Sequence, residues 1–139
     1  MSYNLLAMDD GRVFEIAPLN TRAWHAGVCR PSVPQLRYMD GNTAFYGVAI
    51  AAKDGEVVTP LQFAAIVASC KELASRHGWD LAAQPWRITG HDAEAWPRGR
   101  KIDPTGSNPR RPVLSVAAVR AAFQPATPDG VVTSSGVIA

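Results

Sequence analysis

A long amphipathic stretch in the middle of the chain, with clear start and stop signals, most constrains the fold. Thr59-Pro60 predicts a helix start, because threonine is a good N-cap and proline suits the first helical position. Gly78 is placed to cap the other end. Apolar residues recur at helical spacing in between: Leu61, Ala64, Ile66, Val67, Cys70, Leu73 and Ala74. The sequence therefore predicts one long helix over residues 60–77, with a buried face.

Shorter apolar segments on both sides of this helix predict strands. Residues 2–8 and 12–16 flank the turn signal Asp9-Asp10-Gly11 and predict an opening hairpin. Residues 45–52 form a near-continuous apolar run, which predicts a central buried strand. Residues 86–89 are expected to form a short strand that leads to His91. Ser115 is a candidate cap for a last short helix.

Size and composition fit one soluble domain. The chain has 139 residues, of which 47% are hydrophobic and 19% charged. The formal net charge of +2 does not indicate a nucleic-acid partner. We find no membrane-spanning run and no secretory signal, so synthesis in the cytoplasm is expected. The protein is also expected to be a monomer. The domain is predicted to cover residues 1–123, and residues 124–139, rich in Pro, Gly, Ser and Thr, are predicted to form a flexible tail.

Two cysteines do not make a disulfide framework. One bridge between Cys29 and Cys70 stays open at this point. The position of Cys70 on the buried face of the predicted helix favours a small apolar filler.

The stretch 88–104 carries the strongest chemical signal. His91 follows an apolar run, and a loop rich in Pro, Gly and Arg then leads to Lys101 and Asp103. An imidazole nitrogen and a carboxylate oxygen both suit zinc. The ammonium group of Lys101 could face a developing oxyanion. One His and one Asp are a weak metal signal, and these residues alone favour a solvated basic loop with a surface histidine.

A second candidate is the Trp24-His25 pair, which lies among small residues. The pair suits the wall of a cleft, with an indole for stacking and an imidazole for hydrogen bonding. The alternative is a tryptophan that anchors a loop and a histidine satisfied by a backbone carbonyl. The residues themselves favour neither.

Together these segments resemble a known family. Residues 22–27, 90–92 and 99–104 look like the motifs of the type 2 N-acetylmuramoyl-L-alanine amidases, which include recycling amidases, phage endolysins and peptidoglycan-recognition proteins. Residues 2–5 and 10–15 are similar to the opening hairpin of the recognition proteins. The resemblance implies an α/β (α+β) fold, with a mixed central β-sheet flanked by helices and a zinc cleft across one face.

The family reaction implied by the resemblance hydrolyses the amide between the lactyl group of N-acetylmuramic acid and L-alanine in peptidoglycan or muropeptides. In it, zinc polarises the carbonyl group and acidifies a bound water. His91 and Asp103 match two zinc ligands, and Lys101 matches the lysine that stabilises the transition state. Trp24 and His25 match the cleft wall that meets the glycopeptide.

The sequence departs from the family pattern at the first zinc ligand, a histidine on a strand before the opening hairpin. No such strand is seen, and the third protein ligand is not identified. Either the given sequence omits the segment, which makes the domain N-terminally incomplete, or another chain supplies it, or this is a degenerate form. His25 is not expected to replace it, because its family counterpart lines the cleft without binding zinc.

A second departure concerns proton transfer. Recycling amidases carry a glutamate where this chain has Ala49. The phage-lysozyme type also lacks it and uses a tyrosine together with the lysine, a pair that Tyr3 and Lys101 match. The alternative for Tyr3 is a half-buried strand aromatic. The loop before Lys101 is slightly longer than usual and carries Trp96 and Arg98. Such a loop would deepen the cleft, select among stem peptides, or do no more than close the domain.

Three functions follow from these observations. The first is a zinc amidase, either a phage or prophage lysin or a bacterial recycling enzyme. The second is a non-catalytic peptidoglycan-binding module, which the missing ligand favours. The third is a fragment without activity.

Overall fold

The computed structural model describes residues 2–125 and shows an α+β fold with a mixed sheet, as predicted. The predicted tail lies outside the described residues, apart from Gln124 and Pro125. The strands are β1 (Leu5–Ala7), β2 (Val13–Glu15) and β3 (Val48–Ile50). The α-helices are α1 (Gly41–Ala44), α2 (Pro60–His77), α3 (His91–Glu94) and α4 (Val116–Ala121), and two 3-10 turns cover Pro34–Leu36 and Pro85–Arg87.

The sheet has the order β2-β1-β3 and contains both strand orientations. β1 pairs antiparallel with β2 and parallel with β3, so that Leu6 lies between Phe14 and Ala49. At the hairpin turn the amide of Met8 donates to the carbonyl of Arg12 at 2.8 Å, and Gly11 has a φ of 90°. The predicted hairpin is therefore confirmed, with shorter strands.

The prediction of a central buried strand over residues 45–52 is wrong in position and length. β3 is an edge strand of the described sheet and is half-buried, whereas the central strand is β1, whose Ala7 is fully buried. Both the hairpin and the parallel pairing of β3 use β1, which leaves β3 with one strand neighbour. The apolar run reflects packing against the core and a cavity, because Ile50 contacts the core cluster and β3 lines the cavity.

The predicted strand over residues 86–89 is also wrong. Pro85 begins a 3-10 turn, in which the amide of Arg87 donates to the carbonyl of Gln84 at 3.1 Å. Proline fixes its own φ near the helical value, which favours a turn here. The carbonyl of Ile88 accepts from Arg120 on α4 at 2.7 Å. His91 therefore begins α3 and does not follow a strand.

Helix α2 has the predicted boundaries because local signals set both of its ends. Thr59 and Gln62 form a reciprocal capping box, and Gly78 adopts the left-handed conformation with φ 67°. The buried side chain of Gln62 also donates to the carbonyls of Ala7 and Ala51, at 3.0 and 3.3 Å. These bonds tie the first turn of α2 to the sheet.

The hydrophobic core lies between α2, β1 and α4. Its buried cluster consists of Ala7, Ile66, Leu114 and Val119. Ser115 caps α4 as predicted, since its Oγ accepts from the amide of Ala118 at 3.1 Å. Within residues 2–125, no helix is both long and apolar enough to cross a bilayer.

Both cysteines are free thiols, so Cys29 and Cys70 do not form a bridge. Cys70 packs against the core cluster, and burial raises the pKa of its thiol to about 11. The predicted role of Cys70 as an apolar filler is confirmed.

Replacing Thr59 with alanine should destabilise the protein by about 1 kcal/mol, within a range of about 0.5–2. The change removes the acceptor for the Gln62 amide and the hydroxyl that donates to the carbonyl of Asp9. Denaturant unfolding would measure the difference in free energy of unfolding. Thr21→Ala is the matched control, because its exposed hydroxyl bonds only to the neighbouring Asn20 side chain. Equal stability of the two variants would contradict the prediction.

Candidate active site

The centre of the candidate site is a contact between α3 and the loop that returns after it. The Nδ1 atom of His91 lies 3.0 Å from Oδ2 of Asp103. The amide of Asp92 donates to the backbone carbonyl of Asp103 at 2.7 Å, and its carboxylate accepts from the hydroxyl of Thr105. These bonds hold the returning loop against the first turn of α3, so that the two predicted zinc ligands meet.

A glycine makes this close approach possible. A Cβ atom added to Gly90 would lie 2.7 Å from Cδ of Pro104, the residue after Asp103. That distance is shorter than van der Waals contact, so a side chain at this position would push the returning loop away. Gly90 therefore helps to position Asp103 beside His91.

The second ring nitrogen of His91 connects α3 to the loop 22–28. Its Nε2 lies 2.9 Å from the carbonyl oxygen of Ala26, which also accepts from Nη2 of Arg100 at 3.3 Å. The same Nη2 donates to the carbonyl of Val28 at 2.6 Å. The imidazole is largely buried, whereas the carboxylate of Asp103 is 63% exposed. His91 is thus held by the protein, whereas the carboxylate of Asp103 is open to solvent.

His25 is held in place by three neighbours. Its Nε2 bonds to the carbonyl oxygen of Phe45 at 2.9 Å, and its amide donates to Oδ1 of Asn42 at 2.9 Å. Its ring packs on Gly47, where an added Cβ would lie 2.5 Å from Cγ of His25. The structure therefore has the arrangement in which a backbone carbonyl satisfies the histidine. His25 still lines the cavity, so this bond does not remove it from the site.

A cavity of about 450 Å³ joins most of the predicted site residues. Its lining contains five of the six, which are Tyr3, His25, His91, Lys101 and Asp103. Trp24 is not among the lining residues. Its indole is 63% exposed, with the guanidinium of Arg22 at 4.6 Å from the ring centroid. Ala49 on β3 also lines this cavity.

The donors at the site fit zinc in chemical type but are one short of a catalytic set. Zinc takes imidazole nitrogen and carboxylate oxygen, and a catalytic zinc keeps three protein ligands and one open position. Nδ1 of His91 and Oδ2 of Asp103 are close enough to serve one ion. Within residues 2–125, no third His, Cys, Asp or Glu joins them in a metal-binding group.

The site also depends on buried polar residues that sequence reasoning missed. Asn42 orders the loop 22–28, since its Oδ1 accepts from the amides of both His25 and Ala26. Asn4 is 2% exposed and links the amide of Gly47 to the carbonyl of Thr21. No local pattern distinguishes these asparagines from surface ones, because the partners of their side chains lie 14 to 43 residues away.

Glu94 was missed for the same reason. Its buried carboxylate accepts from the amide and the hydroxyl of Ser32, at 2.6 and 2.8 Å, and from the hydroxyl of Thr89 at 2.8 Å. All three bonds hold loops in place. Glu94 therefore orders the segment that follows His91, and its own oxygens are occupied.

Stability should fall as the pH is lowered through the range in which His25 titrates. Burial lowers the pKa of His25, and nearby His91 lowers it further, whereas the bond to Phe45 acts in the opposite direction. The folded protein therefore resists protonation of His25. Below the ordinary pKa of 6.5 the unfolded chain takes up a proton that the folded chain does not, so unfolding is favoured. The slope from this group is at most about 1.4 kcal/mol per pH unit.

Denaturant midpoints at about pH 7.5 and about pH 5.5 would measure this effect. His25→Gln is the matched variant, because glutamine can still donate a hydrogen bond but does not titrate. It should show a smaller loss of stability on acidification than the native chain. An equal or larger loss would contradict the assignment to His25.

Comparisons with known proteins show which proteins the chain is similar to. Residues 1–106 match the family described as N-acetylmuramoyl-L-alanine amidase. No curated protein gives a significant match. Among solved structures, the chain is similar to the crystal structure of a selenomethionine derivative of AmpD, with 27% sequence identity and a TM-score of 0.66. The alignment covers 89% of this chain and 60% of that chain.

The family match extends from the opening hairpin through the loop that carries His91 and Asp103. The similar solved structure has the same fold as this chain. The chain therefore belongs to the N-acetylmuramoyl-L-alanine amidase family.

Proposed function

We propose that this chain hydrolyses the amide bond between the lactyl group of N-acetylmuramic acid and L-alanine of the peptidoglycan stem peptide. The observation that carries the proposal is the His91–Asp103 contact of 3.0 Å at a cavity that Lys101 and Tyr3 also line. Membership of the amidase family supports the bond type. Peptidoglycan or a muropeptide is the proposed substrate.

We propose His91 and Asp103 as two protein ligands of a catalytic zinc ion, with a third ligand that residues 2–125 do not supply. When bound, zinc polarises the scissile carbonyl and lowers the pKa of a water molecule. Hydrogen bonds within the protein orient both ligands. The carbonyl of Ala26 bonds to the ring of His91, and the amide of Asp92 donates to the carbonyl of Asp103. Such support restricts the orientation of a ligand and raises its affinity for the metal.

Lys101 and Tyr3 are the proposed catalytic side chains. Lys101 is two residues before Asp103 in the returning loop, and its ammonium group would stabilise the negative charge that develops on the carbonyl oxygen. Tyr3 precedes β1 and lines the same cavity, and its hydroxyl would transfer a proton. Ala49 has no proton to exchange, so the reaction would not use a glutamate at that position.

Trp24 and His25 are the proposed contacts for the glycopeptide. His25 lines the cavity wall, and burial lowers the pKa of its ring, which favours the neutral form. Trp24 lies outside the cavity and exposes its indole, a surface on which a sugar ring or an apolar peptide face can pack. The two residues would therefore contact different parts of the substrate.

The direct test incubates the purified chain with an N-acetylmuramoyl-L-alanyl peptide, with zinc added and after chelation. Mass spectrometry should detect a peptide with a free L-alanine amino group, and only when zinc is present. Intact peptidoglycan in a parallel reaction separates a lysin, which cuts the polymer, from a recycling enzyme, which prefers soluble fragments. Cleavage at another bond would refute the proposed reaction.

A non-catalytic peptidoglycan-binding module is the second candidate, favoured by the two-donor metal set in residues 2–125. It predicts that the chain binds the same glycopeptide without releasing a peptide, even with zinc present. Co-sedimentation with peptidoglycan, combined with the mass-spectrometric assay, distinguishes the two. Binding without cleavage would establish the module in place of the enzyme.

A further inference from the structure

Two arginines and a tryptophan form an exposed cluster beside the candidate site. The guanidinium of Arg30 lies 3.8 Å from the ring centroid of Trp96, and that of Arg98 lies 5.6 Å from it. Arg98 also donates to the backbone carbonyl of Arg30 at 2.7 Å. Both arginines are exposed and Trp96 is half-buried. We call these three residues the arginine–tryptophan cluster.

The backbone that carries Arg30 is firmly anchored. The amide of Arg30 donates to the carbonyl of Glu94 at 2.9 Å, and Cys29 forms a β-bridge with Ala95. On the other side, both the amide and the hydroxyl of Ser32 donate to the carboxylate of Glu94. Arg30 is therefore presented from an ordered segment and stacked on a ring, which reduces the entropy that its side chain would lose on binding.

The cluster has a positive charge that the described part of the chain does not neutralise. In residues 2–125, neither Arg30 nor Arg98 forms an ion pair. The nearby carboxylate of Glu94 is turned inward to Ser32 and Thr89. Arg98 uses its guanidinium for two backbone carbonyls. Arg30 donates no side-chain hydrogen bond to another described residue, so its planar set of five donors is available.

A short chain of hydrogen bonds connects the cluster to the catalytic centre. The carbonyl of Ala26 accepts from both His91 and Arg100, and Nε of Arg100 donates to the carbonyl of Trp96 at 2.9 Å. Trp96, the platform for Arg30, is thus held through one arginine to the same oxygen that holds His91. Cys29, the residue before Arg30, and Glu94 both line the cavity, so the cluster adjoins the cavity wall.

We propose that Arg30, supported by Trp96, binds a carboxylate of the acidic stem peptide, so that the loop 95–98 determines substrate specificity. The inference rests on the proposed function and names the part of the substrate that is recognised. Arginine is suited to this role because its donors match both oxygens of a carboxylate. Arg98 adds positive charge at the edge of the same ring.

The test compares two ligands of nearly the same shape: N-acetylmuramoyl-L-alanyl-D-glutamate, which carries two carboxylates, and the same compound with both carboxyl groups converted to neutral amides. Calorimetry on the full chain without added zinc records dissociation constants, and mass spectrometry of the mixture records any cleavage. The native chain should bind the carboxylate form about 10-fold to 100-fold more tightly. Arg30→Ala should reduce this ratio to about 2-fold or less, and Arg30→Lys should give an intermediate ratio.

Arg12→Ala is the matched control, because Arg12 is also exposed and lies over an aromatic ring, 5.5 Å from Phe14, but pairs with Asp10. It should keep the native ratio. No preference for the carboxylate form in the native chain, or an unchanged ratio in Arg30→Ala, would overturn the proposal.

These outcomes are separable from failure of the proposed reaction. A chain that discriminates through Arg30 but never cleaves the amide would support the recognition site and refute the enzyme. A chain that cleaves both ligands, with an Arg30→Ala variant that keeps the native preference, would do the reverse.

Discussion

Asp103→Asn should lower the rate of amide hydrolysis by at least about 100-fold, because loss of groups that only support a metal ligand already costs about 10-fold to 100-fold. The substitution preserves shape but replaces an anionic oxygen with a neutral amide. It weakens the contact with His91, which is 3.0 Å long, and the proposed bond to zinc. His91→Ala, which removes the other proposed ligand, should have an effect at least as large.

The measurements are kcat/KM on the glycopeptide and zinc content by elemental analysis of the same preparations. Asp9→Asn is the matched control, because Asp9 is an exposed carboxylate in the hairpin turn. It should keep native activity. If Asp103→Asn retains both zinc and activity, the metal assignment is wrong.

Lys101→Ala should slow turnover by about 100-fold to 1,000-fold and leave zinc binding unchanged. The ammonium group would act on charge that develops only in the transition state, so the loss should appear in kcat more than in KM. Single-turnover kinetics together with zinc content separate this role from metal binding.

Lys71→Ala, on the exposed surface of α2, is the matched control and should match the native rate. Unchanged turnover in Lys101→Ala would remove this residue from the mechanism. Loss of zinc in the same variant would show that Lys101 maintains the loop and does not act on the reaction.

If the arginine–tryptophan cluster selects acidic stem peptides, the longer loop before Lys101 has a purpose beyond closing the domain. The ordering contacts around it come from Glu94, whose carboxylate holds Ser32 across 62 residues of sequence. A change at Glu94 should therefore alter substrate preference by loosening Arg30, although Glu94 itself is buried.

The candidate site was only partly predictable from sequence. His91, Lys101 and Asp103 were proposed as site residues from the resemblance to the amidases, because these residues alone favour a solvated basic loop. The contacts that orient them were not visible, because the carbonyl of Ala26 lies 65 residues before His91. For His25, sequence left two interpretations open, and the structure has features of both: its Nε2 bonds to the carbonyl of Phe45, and its side chain lines the cavity.

Sequence alone determined the elements whose stability is local. The ends of α2 follow from Thr59, Gln62 and Gly78, since a capping box and a left-handed glycine act within one turn of the helix. The hairpin turn at Gly11 is local in the same way.

Tertiary structure decided which strand is central and which residues meet. The apolar run over residues 45–52 indicates that the segment is buried. It does not distinguish a strand packed against the core and a cavity from a strand between two other strands. The order β2-β1-β3 and the meeting of His91, Ala26 and Arg100 depend on contacts between distant segments. Such contacts form only when the whole core packs, because the entropy of closing long loops is offset by many interactions together.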